Sequence, residues 1–479
     1  MPSKLFCLEP QGLHAQLIEI EVDTRQGLPH FLIVGLPDTA IDEARQRVES
    51  AIKNCGLPYP RGKIIVNLAP AHVHKVGAHY DLAIALGILA EMEMLDKKEL
   101  EKVIPLGELA LDGTIRPIQG TLIHADEARR YQKQTLMLPS ANAPEASLIK
   151  DIEIIPVSHL MEAVAHFSGT PIPAHTSTQT QAPENPPENT WNKILGQTNA
   201  KRILEIAAAG HHSVLLYGPP GTGKTMLSKA LTDLMPPLSE EEQIEITKIH
   251  SIGRPLTGLI TQRPFRSIHP RSTLISLLGG GTQLKPGELS LAHRGVLLMD
   301  EFLEFPSGIL ESLRQPLEEK KVRITRLKGV MEYPASALVV GTMNPCPCGF
   351  FDVMGELCTC TANEVRSYQK KLSGPLLDRI ELMAKTETAL QNQKTPGRPL
   401  HEVRQRIAVA RALQKEKRPL IPKDLNDFKK SADQKHLSYR SQEKALRVAR
   451  TIADLEGSMD ILRPHWVEAL QTLPHPIKK

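Results

Sequence analysis

The sequence predicts an α/β protein of more than one domain, with a phosphate-binding loop in its central part. Three observations carry that expectation. A Gly-rich octapeptide lies between an apolar strand-like run and a helical run, two further apolar runs end abruptly in polar residues, and a proline-rich polar connector precedes all three. The 479 residues exceed a typical domain of roughly 100 to 200 residues, so several cores are expected. With 41% hydrophobic and 23% charged residues, the chain has the balance of a globular protein rather than a disordered one.

Upstream of the connector, the short β-rich runs FLIVGL (31–36) and KIIVNLAP (63–70) alternate with a helical stretch in which Ile41, Ala44, Val48 and Ala51 recur at helical spacing. Residues 1–168 therefore read as one α/β domain. Its cations Lys63, Lys75 and Arg116 fall near turns and read as surface charges. Residues 169–190 contain five prolines among small polar residues and no apolar period, the composition of a flexible linker. Over 191–385 the runs HSVLLYG, GVLLMD and SALVVGTMN read as strands of a parallel sheet buried on both faces, with a ligand crevice at their carboxyl ends. From about 386 to 479 the strands stop, and amphipathic stretches such as HEVRQRIAVARALQKEK and SQEKALRVARTIADLEG predict a helical domain.

The net charge of 58 − 54 = +4 names no partner, but residues 401–479 hold 17 Lys+Arg against 10 Asp+Glu, a net +7 that leaves −3 for the rest. Polyanion contact is therefore expected to be local. No run of about 18 apolar residues is present, and the start MPSKLFCLEPQGLH lacks the apolar region of a signal peptide, so a cytoplasmic protein without membrane contact is expected.

Gly218-Pro219-Pro220-Gly221-Thr222-Gly223-Lys224-Thr225 follows a strand run and precedes the helical run MLSKALTDLM, the context a phosphate loop requires. Its glycines allow backbone N–H groups to curl round the β- and γ-phosphates of ATP. Lys224 supplies a cation to those phosphates, Thr225 offers a hydroxyl to Mg²⁺, and the following helix adds its positive end. The run Val296–Met299 leads to two adjacent carboxylates. Strand alternation is expected to send Asp300 to the Mg²⁺ shell and Glu301 to the attacking water as general base. Asn344, after a third run, is a neutral amide suited to placing that water. Taken singly, each has a plainer reading, an acidic strand end or a turn asparagine.

Four of the six cysteines crowd into Cys346-x-Cys348 and Cys358-x-Cys360. Nine intervening residues, with Gly349 and Gly355, let both pairs fold round one tetrahedral Zn²⁺ in a loop spanning 346–360. Such a site would brace Asn344 and not catalyse, since Cys₄ leaves no open position. The CxC spacing is tighter than the usual CxxC, so free thiols are the alternative.

The motifs GPPGTGKT, LLMDE and Asn344 resemble the Walker A, Walker B and sensor-1 elements of AAA+ ATPases. The strings LRQPLE, NPCPCG and SGPLLDRI resemble those of magnesium-chelatase-like ATPases. Nearly the whole chain resembles the ComM/YifB family, including IVGLPDTAIDEARQRVESAIKN, VNLAPA and GELALDGTIRPIQG. The resemblance implies a Lon-protease-like (ribosomal S5 domain 2-like) α/β front domain, an AAA+ core and a C-terminal helical lid. It also implies a hexameric ring in which Arg379 reaches a neighbour's γ-phosphate, with Arg440 matching sensor 2 ahead of Arg447 and Arg450. Ile194-Leu195-Gly196-Gln197 matches the adenine-side segment. The implied function is a DNA helicase promoting branch migration during homologous recombination and natural transformation, with recombination proteins as partners. A magnesium-chelatase-type motor subunit that remodels a partner protein is the rival reading. Residues 322–335 resemble a hairpin ahead of sensor 1, where Arg323, Arg326 and Lys328 could neutralise phosphates or simply be solvated. Proteolysis is not expected, because the Lon-like turn Lys75–Leu82 has no serine and the later stretch Gly120–His124 no lysine.

Overall fold

The computed structural model describes residues 2–474 except 134, 176–188, 253–255, 257, 282–284, 327–328, 352, 354–356, 373–376, 378, 389–396 and 417, and the side chains of 326, 329 and 330. The chain divides into two compact units, one of residues 1–183 with 243–260 and the other of 184–242 with 261–479. Among the described residues no helix is long and apolar enough to cross a membrane.

The first unit is built on a four-stranded sheet in the order Ser3–Gln11, His14–Arg25, Lys63–Ala69, His30–Val34. The first three strands are antiparallel, and the last pairs in parallel with Lys63–Ala69. Parallel pairing requires a crossover, and the helix Thr39–Asn54 provides it. The Asp38 side chain caps that helix by accepting from the Ile41 N–H at 2.9 Å, and Ile41, Ala44, Val48, Ala51 and Ile52 form its buried stripe. The helix Asp81–Glu91 is buried on nearly every side, so its sequence DLAIALGILAE shows no polar face and no helical period. A second, parallel sheet joins Val103–Pro105, Thr135–Pro139 and Glu153–Val157. In residues 243–260, Lys248 is buried and ion-pairs with Asp126, which also meets Arg129 and Arg130.

One expectation fails here. Lys75 is not a surface cation but is fully buried, its ammonium donating to the carbonyls of Gly35 (2.7 Å), Leu68 (2.9 Å) and Pro70 (2.6 Å). A buried charge is tolerated only when its hydrogen bonds are met, and these three carbonyls meet them. Arg116 does sit at the surface, paired with Glu108.

The second unit holds a five-stranded parallel sheet in the order Phe265–Ile268, Val296–Met299, Leu338–Met343, Val214–Tyr217, Leu382–Lys385. The central runs are buried along their length, as a parallel sheet covered on both faces requires. Two amphipathic helices flank the loop-bearing strand in sequence. Thr198–Gly210 precedes it, and Lys224–Leu234 follows it, burying Leu227, Ala230, Leu231 and Leu234 at i, i+3, i+4 and i+7. Beyond the last strand come the helices Leu400–Gln414, Leu425–Gln434, Tyr439–Leu455 and Arg463–Thr472. They pack their apolar stripes into the same core as the Thr198–Gly210 helix.

Candidate functional site

Sheet register brings the site together. Tyr217 lies opposite Met343, and Met299 opposite Gly341, so Gly218, Asp300 and Asn344 leave neighbouring strands at one edge. This is the carboxyl edge of a parallel sheet, where crevices form. Gly221 and Gly223 adopt φ of 77° and 81°, the left-handed region that a side chain resists and a tight loop needs. The Lys224 ammonium donates to the carbonyls of Gly218 (2.7 Å) and Pro219 (2.8 Å) and to Asn344 Oδ1 (3.1 Å). The phosphate loop and the third-strand amide are thus already joined by one cation. Thr225 follows at the exposed start of the helix.

Burial pushes the Lys224 ammonium down to about 8, with Asp300 acting in the opposite direction. An arriving polyphosphate favours the charged form, so its binding near that pH is coupled to proton uptake. Calorimetry of ATP binding at about pH 8 in buffers of different ionisation heat is expected to show uptake of up to about half a proton, because the free lysine is already about half charged at that pH. The uptake should fade below about pH 7, where the lysine is already charged, and identical heats in all buffers at pH 8 would contradict it.

The carboxylates are separated by a turn and not by strand alternation, because the strand ends at Met299. Glu301 sits at φ 53°, a left-handed conformation uncommon for a non-glycine residue and frequent at active sites. Its side chain is exposed while Asp300 is half-buried. Thr342 fixes both: its hydroxyl donates to Asp300 Oδ1, and its oxygen accepts from the Glu301 N–H at 3.1 Å. A buried threonine inside the apolar run LVVGTM is the sequence signal for this role. Thr386 plays a similar part on the other flank, sharing a hydrogen bond with the Thr222 hydroxyl at 2.8 Å. Gln197 donates to the carbonyls of Thr222 (3.3 Å) and Glu387 (2.9 Å) and accepts from the Glu387 N–H (2.9 Å), which fastens the Ile194–Gln197 segment to the loop.

The cysteine thiols gather beside Asn344. All four Sγ atoms lie within 4.8 Å of one another, with Cys346–Cys348 at 3.3 Å, Cys346–Cys358 at 3.8 Å and Cys348–Cys358 at 3.5 Å. Tetrahedral sulfurs at about 2.3 Å from zinc stand about 3.8 Å apart, so this donor set fits Zn²⁺. The loop braces its neighbours in ways its sequence does not announce. Gly349, at φ 89°, packs so closely that a Cβ would come 2.7 Å from Pro220 Cδ of the phosphate loop. Gln369, on the capped helix Ala362–Lys370, donates to the Pro345 carbonyl at 3.1 Å. Gly349→Ala is expected to weaken ATP affinity about tenfold or more, since both the backbone conformation and the contact with Pro220 oppose a methyl group. Unchanged affinity in an equilibrium titration would contradict that contact.

Arg379 and Arg440 meet at one carboxylate. Arg379 Nη2 donates to Glu318 Oε2 and Arg440 Nη2 to Glu318 Oε1, each at 3.0 Å. Arg450 is committed to a buried pair with Asp454, and Arg447 to an exposed one with Glu443. The hairpin pairs Lys321–Arg326 with Gly329–Pro334. Arg323 reaches solvent as half of an ion pair with Glu332 at 2.9 Å, which Lys321 also joins. Lys328, Asp378 and the Arg326 side chain lie outside the described residues.

Residues 190–394 match the family described as magnesium chelatase, subunit ChlI, residues 20–142 that described as subunit ChlI of Mg-chelatase, and residues 418–472 the ChlI C-terminal family. Competence protein ComM of Haemophilus influenzae is 38% identical over 485 residues, covering 96% of this chain and 95% of its own. YifB of Escherichia coli is 37% identical over 481 residues, covering 96% and 94%. A magnesium-chelatase 67 kDa subunit of Heliobacterium mobile is 29% identical over 228 residues, 40% of this chain and 33% of its own.

Proposed function

Because the chain belongs to the ComM/YifB family of magnesium-chelatase-like AAA+ ATPases, we propose that it is a ring-forming, hexameric ATP-driven motor acting on DNA. In this reading it is a helicase that promotes branch migration in homologous recombination and natural transformation. The observation that carries the ATPase part is the convergence of Lys224, Asp300 and Asn344 at one sheet edge. The DNA part is supported by near-full-length similarity to a competence protein.

In the proposed mechanism, Lys224 exchanges its loop carbonyls for the β- and γ-phosphates, and the N–H groups of Gly221 to Thr225 complete the cradle. Thr225 and Asp300 would hold Mg²⁺, which when bound would neutralise phosphate charge. Asn344 aligns a water with the γ-phosphorus, and Glu301 accepts its proton as the bond to the β–γ bridging oxygen breaks, leaving ADP and inorganic phosphate. Arg379 of one subunit stabilises the charge developing on a neighbour's γ-phosphate, so that each turnover rearranges an interface. The four cysteines would hold Zn²⁺ as a structural brace for the loop that follows Asn344, and the front domain is a Lon-like fold that serves as a non-proteolytic collar.

ATPase and strand displacement are to be measured with branched, duplex and single-stranded DNA. Stimulation by branched DNA is the expected result, and indifference to all three would remove the DNA reading while leaving the nucleotide site intact. The similarity to a magnesium-chelatase subunit favours the second reading, a motor that remodels a partner protein. That reading gains if DNA has no effect. Metal analysis is expected to give about one zinc per chain; purified protein without stoichiometric zinc would contradict the brace.

A further inference from the structure

The helix Tyr439–Leu455 carries a lysine where its stripe calls for an apolar residue. Lys444 precedes Val448 and Ile452 at steps of four, and all three are buried, Lys444 to 6% exposure. Leucine or methionine would fill that position at lower cost, since a buried ammonium must have its hydrogen bonds met. Those bonds are specific in where they go. Lys444 Nζ donates to the carbonyls of Leu377 (2.9 Å) and Ile380 (3.1 Å), the residues on either side of Asp378-Arg379. One turn earlier on the same helix, Arg440 reaches the same segment through Glu318, the carboxylate that also holds the Arg379 guanidinium. On the far side, Glu381 accepts from the Ser213 N–H at 2.9 Å, which ties the segment to the start of the loop-bearing strand.

We propose that Lys444 is a positioning residue for Arg379: from the lid helix it grips the backbone on both sides of the arginine and sets the direction in which the guanidinium leaves the subunit. The inference rests on Arg379 acting in a neighbour's site. A lid movement would then carry the arginine with it, because two groups one turn apart on a single helix hold its backbone and its counter-ion. Lys444 makes no contact with nucleotide in this scheme and is not a catalytic residue.

The test uses the full-length chain. Lys444→Met keeps the length and removes the ammonium. It is expected to lower kcat by about 10²-fold with KM for ATP unchanged, the scale of a misplaced catalytic group. Lys444→Arg, which can donate to both carbonyls, is expected to restore most of the activity. Mixed assemblies supply the readout that a merely structural role would not move. Lys444→Met subunits mixed with Lys224→Ala subunits should recover turnover, because the latter lend an intact Arg379 to the former's intact nucleotide site. Lys444→Met mixed with Arg379→Ala should not, because both lack a working arginine. Full kcat in Lys444→Met, a raised KM, or recovery in neither mixture while Arg379→Ala plus Lys224→Ala does recover would overturn the assignment. Failure of that last control mixture would instead overturn the cross-subunit reading of Arg379, and Lys444 with it. If Lys444→Met does not fold, Lys444→Gln, whose amide can serve one carbonyl, goes through the same mixtures, and the same recoveries support or overturn the assignment.

Discussion

Replacing Arg379 with alanine is expected to lower ATP turnover by about 10³- to 10⁵-fold while leaving ATP affinity nearly intact, the effect of losing an arginine that meets transition-state charge. Thermal unfolding of the variant separates this loss from a folding defect. Arg379 is held by Glu318, a carboxylate that is 55% exposed and keeps Arg440 as its other partner after the substitution. The ion pair contributes at most about 1 kcal/mol, but the Arg379 side chain is only 12% exposed, so its truncation also loses packing and thermal unfolding is to be measured beside turnover. Lysine at the same position should not rescue, because a point charge lacks the planar fork that spans two oxygens. Full turnover by Arg379→Ala would show that the guanidinium takes no part in a neighbour's site.

The second large effect is expected at Glu301. Glu301→Gln should reduce kcat by about 10²- to 10⁴-fold, the usual contribution of a general base, and leave ATP bound. The reason is local. The Glu301 backbone N–H, and not its side chain, makes the hydrogen bond to Thr342, so the turn survives the change while the exposed carboxylate is lost. Lys224→Ala should behave differently, because Lys224 joins Gly218, Pro219 and Asn344 and supplies the cation that the phosphates require. Nucleotide binding is then lost along with turnover. Equal loss of affinity in both variants would contradict the division of roles between them.

The features legible in the sequence are those whose cause is local. Strands buried on both faces, such as Val296–Met299 and Leu338–Met343, show as continuous apolar runs. A phosphate loop must place glycines and a lysine at fixed spacing, so it can be read before any fold is known. The crossover helix Thr39–Asn54 shows its stripe because its other face meets water. The Asp81–Glu91 helix does not, because it has no such face. Features that depend on distant partners stay hidden. Lys75 looks like any turn cation until Gly35, Leu68 and Pro70 close over it. Glu318 is an ordinary acidic residue of LRQPLE until Arg379 and Arg440, 61 and 122 positions away, fold onto it. Strand alternation predicts the divergence of Asp300 and Glu301, but the divergence arises from a left-handed turn held by a threonine on another strand.

Specific ATPase activity followed against protein concentration, with and without branched DNA and alongside sedimentation of the same samples, tests the shared catalytic site most directly. Activity per chain is predicted to rise steeply over the concentration range in which subunits assemble, and DNA is predicted to shift that rise to lower concentration. A chain that sediments as a monomer with ATP and DNA present, and still turns over at its maximal rate, would contradict a catalytic site shared between subunits.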